Sequence, residues 1–143
     1  MNFIKQPIKN QLRGISGVQS VVFHAILPLL AAATCRGIVF LHDLTHSPPT
    51  LQNKIHHHKN CVACVAFHPK KPLLATCASD GTIIYNVSTT PPLILGQLRQ
   101  HLNRVNSVAF HSNCPFFATG SSDESVVLYY FTTVSTTVST TVS

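Results

Sequence analysis

The densest group of chemically capable side chains is His56-His57-His58-Lys59-Asn60-Cys61-Val62-Ala63-Cys64. A C-x-x-C beside three histidines carries the donors of a zinc site, because thiolate and imidazole are ligands that zinc prefers. His56, His57, Cys61 and Cys64 are the candidate ligands. Two features weigh against metal. No second C-x-x-C completes the set, and Val62 and Val65 impose a strand register on both cysteines. Zinc is the minor reading, and no cofactor is expected.

Catalytic chemistry has little to work with. The acids are Asp43, Asp80, Asp123 and Glu124. A hydrolytic or proton-transfer site needs a nucleophile, a base and an orienting acid that converge. There is no G-x-S-x-G, no glycine-rich phosphate loop and no pair of neighbouring carboxylates. The chain reads as a non-enzyme.

The elements that would hold these residues come from an internal repeat. Phe23-His24, Phe67-His68 and Phe110-His111 recur at spacings of 44 and 43 residues. Pro28, Pro72 and Pro115 follow each Phe by five residues, and Val18, Val62 and Val105 precede it by five. Val21, Val65 and Val108 lie two residues before it. Each unit divides into short apolar runs. The first strand is expected at 18–24, 62–68 and 105–111, the second at 29–35, 73–78 and 116–121. The third is expected at 38–43, 82–87 and 125–131, with a weaker fourth near 50–55 and 93–98. The third runs, IVFLH, TIIYN and SVVLYY, are nearly unbroken, as strands covered on both faces are. The histidines that follow the core Phe fall at strand ends and are expected to be solvated or in turns.

Composition agrees with a packed all-β chain. Of 143 residues, 45% are hydrophobic and 10% charged. Ten Lys and Arg against four acids give a net charge of +6, which suits an acidic partner, although the basic residues form no dense cluster. The opening MNFIKQPIKNQLRG lacks the apolar segment of a secretory signal. The five cysteines are an odd count, so free thiols in an intracellular, cytoplasmic or nuclear, setting are expected. The most apolar stretch, 25–34, is too short to span a bilayer.

The stretch His101–Tyr130 and its two copies resemble the tryptophan–aspartate (WD) repeat, the unit of β-propellers. The resemblance implies four-stranded antiparallel blades, about three of them, over residues 1–131. The units run about 12–55, 56–98 and 99–131, and Phe3–Leu12 supplies an outer strand contiguous with the next inner one. The repeated TTVS of 132–143 forms a low-complexity tail, its first residues joining the last blade and the rest a loose end. In this family a loop His, a turn Asp, a strand Ser or Thr and a strand Trp share hydrogen bonds. The resemblance therefore implies His58–Asp80 and His101–Asp123 as structural pairs, with Ser121 as the strand hydroxyl of the third unit and Ala78 in its place in the second. The first unit has neither His nor Asp, with Arg36 at the turn. No tryptophan exists, and its positions fall to His42, Asn86 and Tyr129.

Such repeats imply a protein-binding scaffold. Its contacts would come from loops on one side, at Arg36, Lys59, Ser79, Arg99, Arg104 and Glu124. Three blades are fewer than a closed ring requires, so self-association or a second chain that completes the propeller is expected, as is membership of a larger complex. Two alternatives stand beside this: nucleic-acid or polyanion binding through the basic and His-rich loops, and a truncated fragment without independent function.

Overall fold

The structure, a computed structural model, describes residues 17–132 and 138–142. The described residues form twelve strands and no helix. They build three antiparallel four-stranded sheets, each a meander. The first sheet holds β1 (Val18–Phe23), β2 (Leu29–Thr34), β3 (Val39–Asp43) and β4 (Thr50–Ile55). The second holds β5 (Val62–Phe67), β6 (Leu73–Ala78), β7 (Gly81–Asn86) and β8 (Leu93–Leu98). The third holds β9 (Val105–Phe110), β10 (Phe116–Ser121), β11 (Val126–Phe131) and β12 (Val138–Val142). This is the all-β, blade-like architecture that the repeat implied.

The sheets stack in order and touch through their first and second strands, with β5 between β1 and β9. Two apolar cores result. Leu29, Ala31 and Leu41 of the first sheet meet Val65, Phe67, Leu74 and Tyr85 of the second. Ala75, Cys77, Ile84 and Leu98 on its opposite face meet Val105, Val108, Phe117 and Tyr129 of the third. Burying each of the larger aliphatic side chains contributes about 1.5–3 kcal/mol, so every sheet depends on its neighbour.

Among the described residues, only the second sheet is covered on both faces. β7 is buried along nearly its whole length, whereas β11 alternates exposed and buried residues. The unbroken run SVVLYY was expected to be covered on both sides like TIIYN. It is covered on one, because no described sheet lies beyond the third.

The turns differ by one residue. Cys77 pairs with Thr82 across four intervening residues, and Gly120 pairs with Val126 across five. The longer turn places Glu124 at φ 68°, a left-handed conformation that Gly37 adopts at φ 78° in the first sheet.

β12 pairs with β11 from Val138 to Val142. The outer strand of the third sheet thus lies in the part of the TTVS tail that was expected to be a loose end. Its β-branched residues favour pairing once an edge is available. The outer strand expected at Phe3–Leu12 lies outside the described residues.

Candidate functional site

The two histidines of the repeat pattern each meet an acid across a turn. His58 Nδ1 lies 2.6 Å from Asp80 Oδ1, and His101 Nδ1 lies 3.0 Å from Asp123 Oδ2. A carboxylate only accepts, so Nδ1 carries the proton. In the neutral ring Nε2 then accepts from a hydroxyl. That hydroxyl belongs to Thr76 at 2.7 Å in the second sheet and to Thr119 at 2.8 Å in the third. The Tyr85 hydroxyl bonds His57 Nδ1 at 3.1 Å, and the Tyr129 hydroxyl donates to Gln100 Oε1 at 3.2 Å.

These partners correct the expected set. Ser121 is not the strand hydroxyl of the network. It donates to the Arg104 carbonyl at 2.9 Å and accepts from the Asp123 N–H. Ala78 therefore replaces nothing in the second sheet. Thr76 and Thr119 each stand 18 residues after their histidine, and that shared spacing was a usable signal. The tryptophan position of the second sheet is Tyr85 and not Asn86, since Leu74 pairs with Tyr85 as Phe117 pairs with Tyr129. Counting forward from the turn Asp misses this, because the second sheet's turn is one residue shorter. The first sheet has Ala32 where the others have Thr76 and Thr119. It also lacks the Asp, which leaves no buried carboxylate there to satisfy.

The acids are held in their ionised form. Burial pushes Asp80 up, but the Lys59 N–H and His58 outweigh it and hold it below the usual carboxylate value. The Ser125 hydroxyl holds Asp123 well below that value, helped by the Leu102 N–H and His101. Both carboxylates are thus consumed inside the fold, the Lys59 and Leu102 amides donating at 2.8 Å each.

The turns and the segments that lead into β5 and β9 lie on one side. Gly37 is fitted so closely there that a Cβ would come within 2.6 Å of the His58 carbonyl oxygen. Ser122 N–H donates to the Arg104 carbonyl at 3.0 Å. A cleft of about 280 Å³ opens there, lined by Lys59, Ser79, Asp80 and Gly81 of the second sheet's side and by Arg99, His101 and Asn103 of the segment that leads into β9. Arg36, Lys59, Ser79, Arg99 and Glu124 are exposed. Arg104 is half-buried, its guanidinium turned inward to 3.8 Å from the Cys61 thiol.

The four candidate zinc ligands diverge. His57 stacks on Tyr85 with ring centroids 5.7 Å apart and hydrogen-bonds its hydroxyl at 3.1 Å. Cys61 faces Arg104. Cys64 faces Cys77, which holds its thiol down to about 6 by hydrogen bonding. His56 is exposed. Among the described residues no three His, Cys, Asp or Glu side chains converge as a metal site would require.

The histidines after each Phe are structural in a way the sequence did not suggest. The Nδ1 atoms of His24, His68 and His111 each accept two backbone N–H groups at 2.9–3.0 Å, tying the first turn of their sheets. His24 and His68 are buried, not solvated, and only His111 is exposed. With Nδ1 accepting, His24 Nε2 carries the proton and donates to the Lys71 carbonyl of the next sheet at 2.9 Å.

No curated protein matches the chain. Among solved structures it is similar to the crystal structure of Saccharomyces cerevisiae Sqt1, with a TM-score of 0.78 and 17% identity. That likeness covers 90% of this chain and 35% of the other, so the chain spans about a third of that protein's length. At this identity the likeness speaks to fold alone. The family model for the WD domain, G-beta repeat matches residues 49–85 and 93–129, together more than half of the chain. Repeats of this kind generally serve as protein-interaction scaffolds. The repeat spacing, the stacked four-stranded sheets, the His–Asp turns and the family match agree: the chain belongs to the WD-domain, G-beta repeat family.

Proposed function

We propose that the chain is a non-catalytic scaffold that binds an acidic protein segment on its turn face, as part of a larger complex. The observation that carries this reading is the charge left on that face. Asp80 and Asp123 are spent on histidines and backbone amides. Arg36, Lys59 and Arg99 remain exposed, the last two lining the cleft. Two cations at one cleft attract an acidic partner, although Asp80 also lines it and Glu124 is exposed on the same face.

The test is affinity capture with the full chain, followed by titration of the captured protein against the wild type and a Lys59→Glu/Arg99→Glu double variant. Both positions are exposed, so the fold should persist. Binding should weaken at least tenfold in the double variant. Equal binding would exclude the cleft as the contact. Capture of RNA or DNA instead, with affinity falling steeply as salt rises, would favour the polyanion reading.

A further inference from the structure

The two outermost sheet faces of the described arc match the two sides of each junction inside it. Inside the molecule, each junction joins the Val-Val-Phe face of one sheet to the opposite face of the sheet before it. In the second sheet the first of these faces includes Val62, Val65 and Phe67, packed on the first sheet. Its counterparts in the first sheet, Val18, Val21 and Phe23, are exposed: Phe23 is 67% exposed where Phe67 is 7%. The second sheet turns Ile84 towards the third. Its counterpart Leu128 is 36% exposed where Ile84 is 5%. Val126 and Tyr130, on the same side of β11, are exposed as well.

A recurring ring contact marks the same division. His24 packs edge-on against Phe67, with centroids 5.2 Å apart, and His68 against Phe110 at 5.4 Å. The first and second sheets each give a His to the next, and the second and third each receive one on a Phe. At the ends of the arc Phe23 and His111 are both exposed. Phe23 corresponds to the receiving half of such a contact and His111 to the giving half.

We infer that two copies of this chain associate head to tail, the Phe23 face of each seated on the Leu128 face of the other. The faces differ, so the contact is heterologous and closes only if the rotation returns to its start. Two arcs of three sheets make six blades, inside the usual range of four to eight, whereas three arcs make nine. The surfaces suit a dry contact. Val21 pairs with Ala32, Phe23 with Leu30 and Ala32 with Phe40 across the first sheet. Phe116 pairs with Tyr130 and Ala118 with Leu128 across the third. Lys54 is the charged residue beside them, paired with Phe40 and with its ammonium 5.8 Å from that ring's centroid. A sheet edge-to-edge or face-to-face dimer of like faces would leave the complementary halves unused.

Size-exclusion chromatography with light scattering, run on the full chain at micromolar concentration, tests this. The expected mass is twice that of the chain. Phe23→Asp and Val126→Asp change exposed residues, so circular dichroism should be unchanged, and each variant should run as a monomer. Mixing the two variants at tenfold higher concentration should restore a dimer, because one intact face of each kind remains. A monomeric wild type overturns the inference. So does a dimer that survives both substitutions, a mixture that stays monomeric, or growth into unlimited polymers. If either Asp variant loses its β-sheet spectrum, Phe23→Ser and Val126→Ser take its place under the same criteria.

Discussion

His24 of the first sheet meets Phe67 of the second edge to face, with ring centroids 5.2 Å apart, while its Nε2 donates to the Lys71 carbonyl. In the second sheet one dipeptide, Phe67-His68, therefore does two jobs. Its His ties its own turn and reaches the next sheet, and its Phe receives the His of the sheet before.

Replacing His24 separates those jobs. His24→Ala leaves the Ile26 and Leu27 N–H groups and the Lys71 carbonyl without a side-chain partner. A loss of about 1–3 kcal/mol is expected. His24→Asn keeps an acceptor near the turn amides and should cost less. Urea unfolding of both variants measures the difference; equal losses would mean that the turn bonds contribute nothing.

The His58 chain makes a second prediction. Asp80→Ala removes the acceptor for His58 Nδ1 and for the Lys59 N–H. Stability should fall by about 1.5–3 kcal/mol, lowering the melting temperature by roughly 5–15 °C. Thr76→Val leaves His58 Nε2 without its hydroxyl at nearly unchanged volume and should cost about 1–2 kcal/mol. The double variant should lose less than the sum, since both act on one chain of bonds.

Glu124 and Gly37 should respond in opposite directions. Glu124 holds φ 68° without the freedom of glycine. Glu124→Gly is expected to raise stability by up to about 1 kcal/mol. Gly37→Ala should lower it by more than about 1 kcal/mol, as its Cβ would meet the His58 carbonyl oxygen at 2.6 Å. Thermal melts of the two variants are the measurement.

Stability should fall with acidification in two stages. Burial, with Lys71, His24 and Lys70 nearby, holds His68 below 6.5 in the folded chain. His42 is lowered from 6.5 by burial as well. Between 6.5 and the lower folded values the unfolded chain binds more protons, so stability is complete above 6.5 and declines as pH drops below it. Asp80 and Asp123 are lowered from 3.8, so their contribution is present above 3.8 and lost as pH falls further. His68→Asn should flatten the first stage while the second persists. Denaturant midpoints collected from pH 7.5 to 3 would show it.

Thiol labelling gives an independent check on the packing. Cys35 and Cys114 are exposed and Cys77 is buried between the second and third sheets. A maleimide added to the native chain should therefore reach Cys77 last, and only as the sheets open.

The repeat was legible before any coordinates because its marks are local. A Val-Val-Phe-His run, a proline and an apolar pair recur at one spacing, and strands and turns follow from that pattern. The pairings of His58 with Asp80 and His101 with Asp123 were legible for the same reason, since each joins a loop to a turn at a constant offset. Three things were not. Spacing from the turn Asp points to Asn86 and not Tyr85, because one residue is missing from the turn between β6 and β7, and only the strand register reveals it. Ser121 was chosen over Thr119 because the two hydroxyls lie two residues apart on one strand, and the sequence does not say which one faces the histidine. SVVLYY and TIIYN look equally apolar, yet one strand is buried on both faces and the other on one. Burial is a property of what packs against a strand, so it was settled by the stacking of the sheets and not by the strand's own residues.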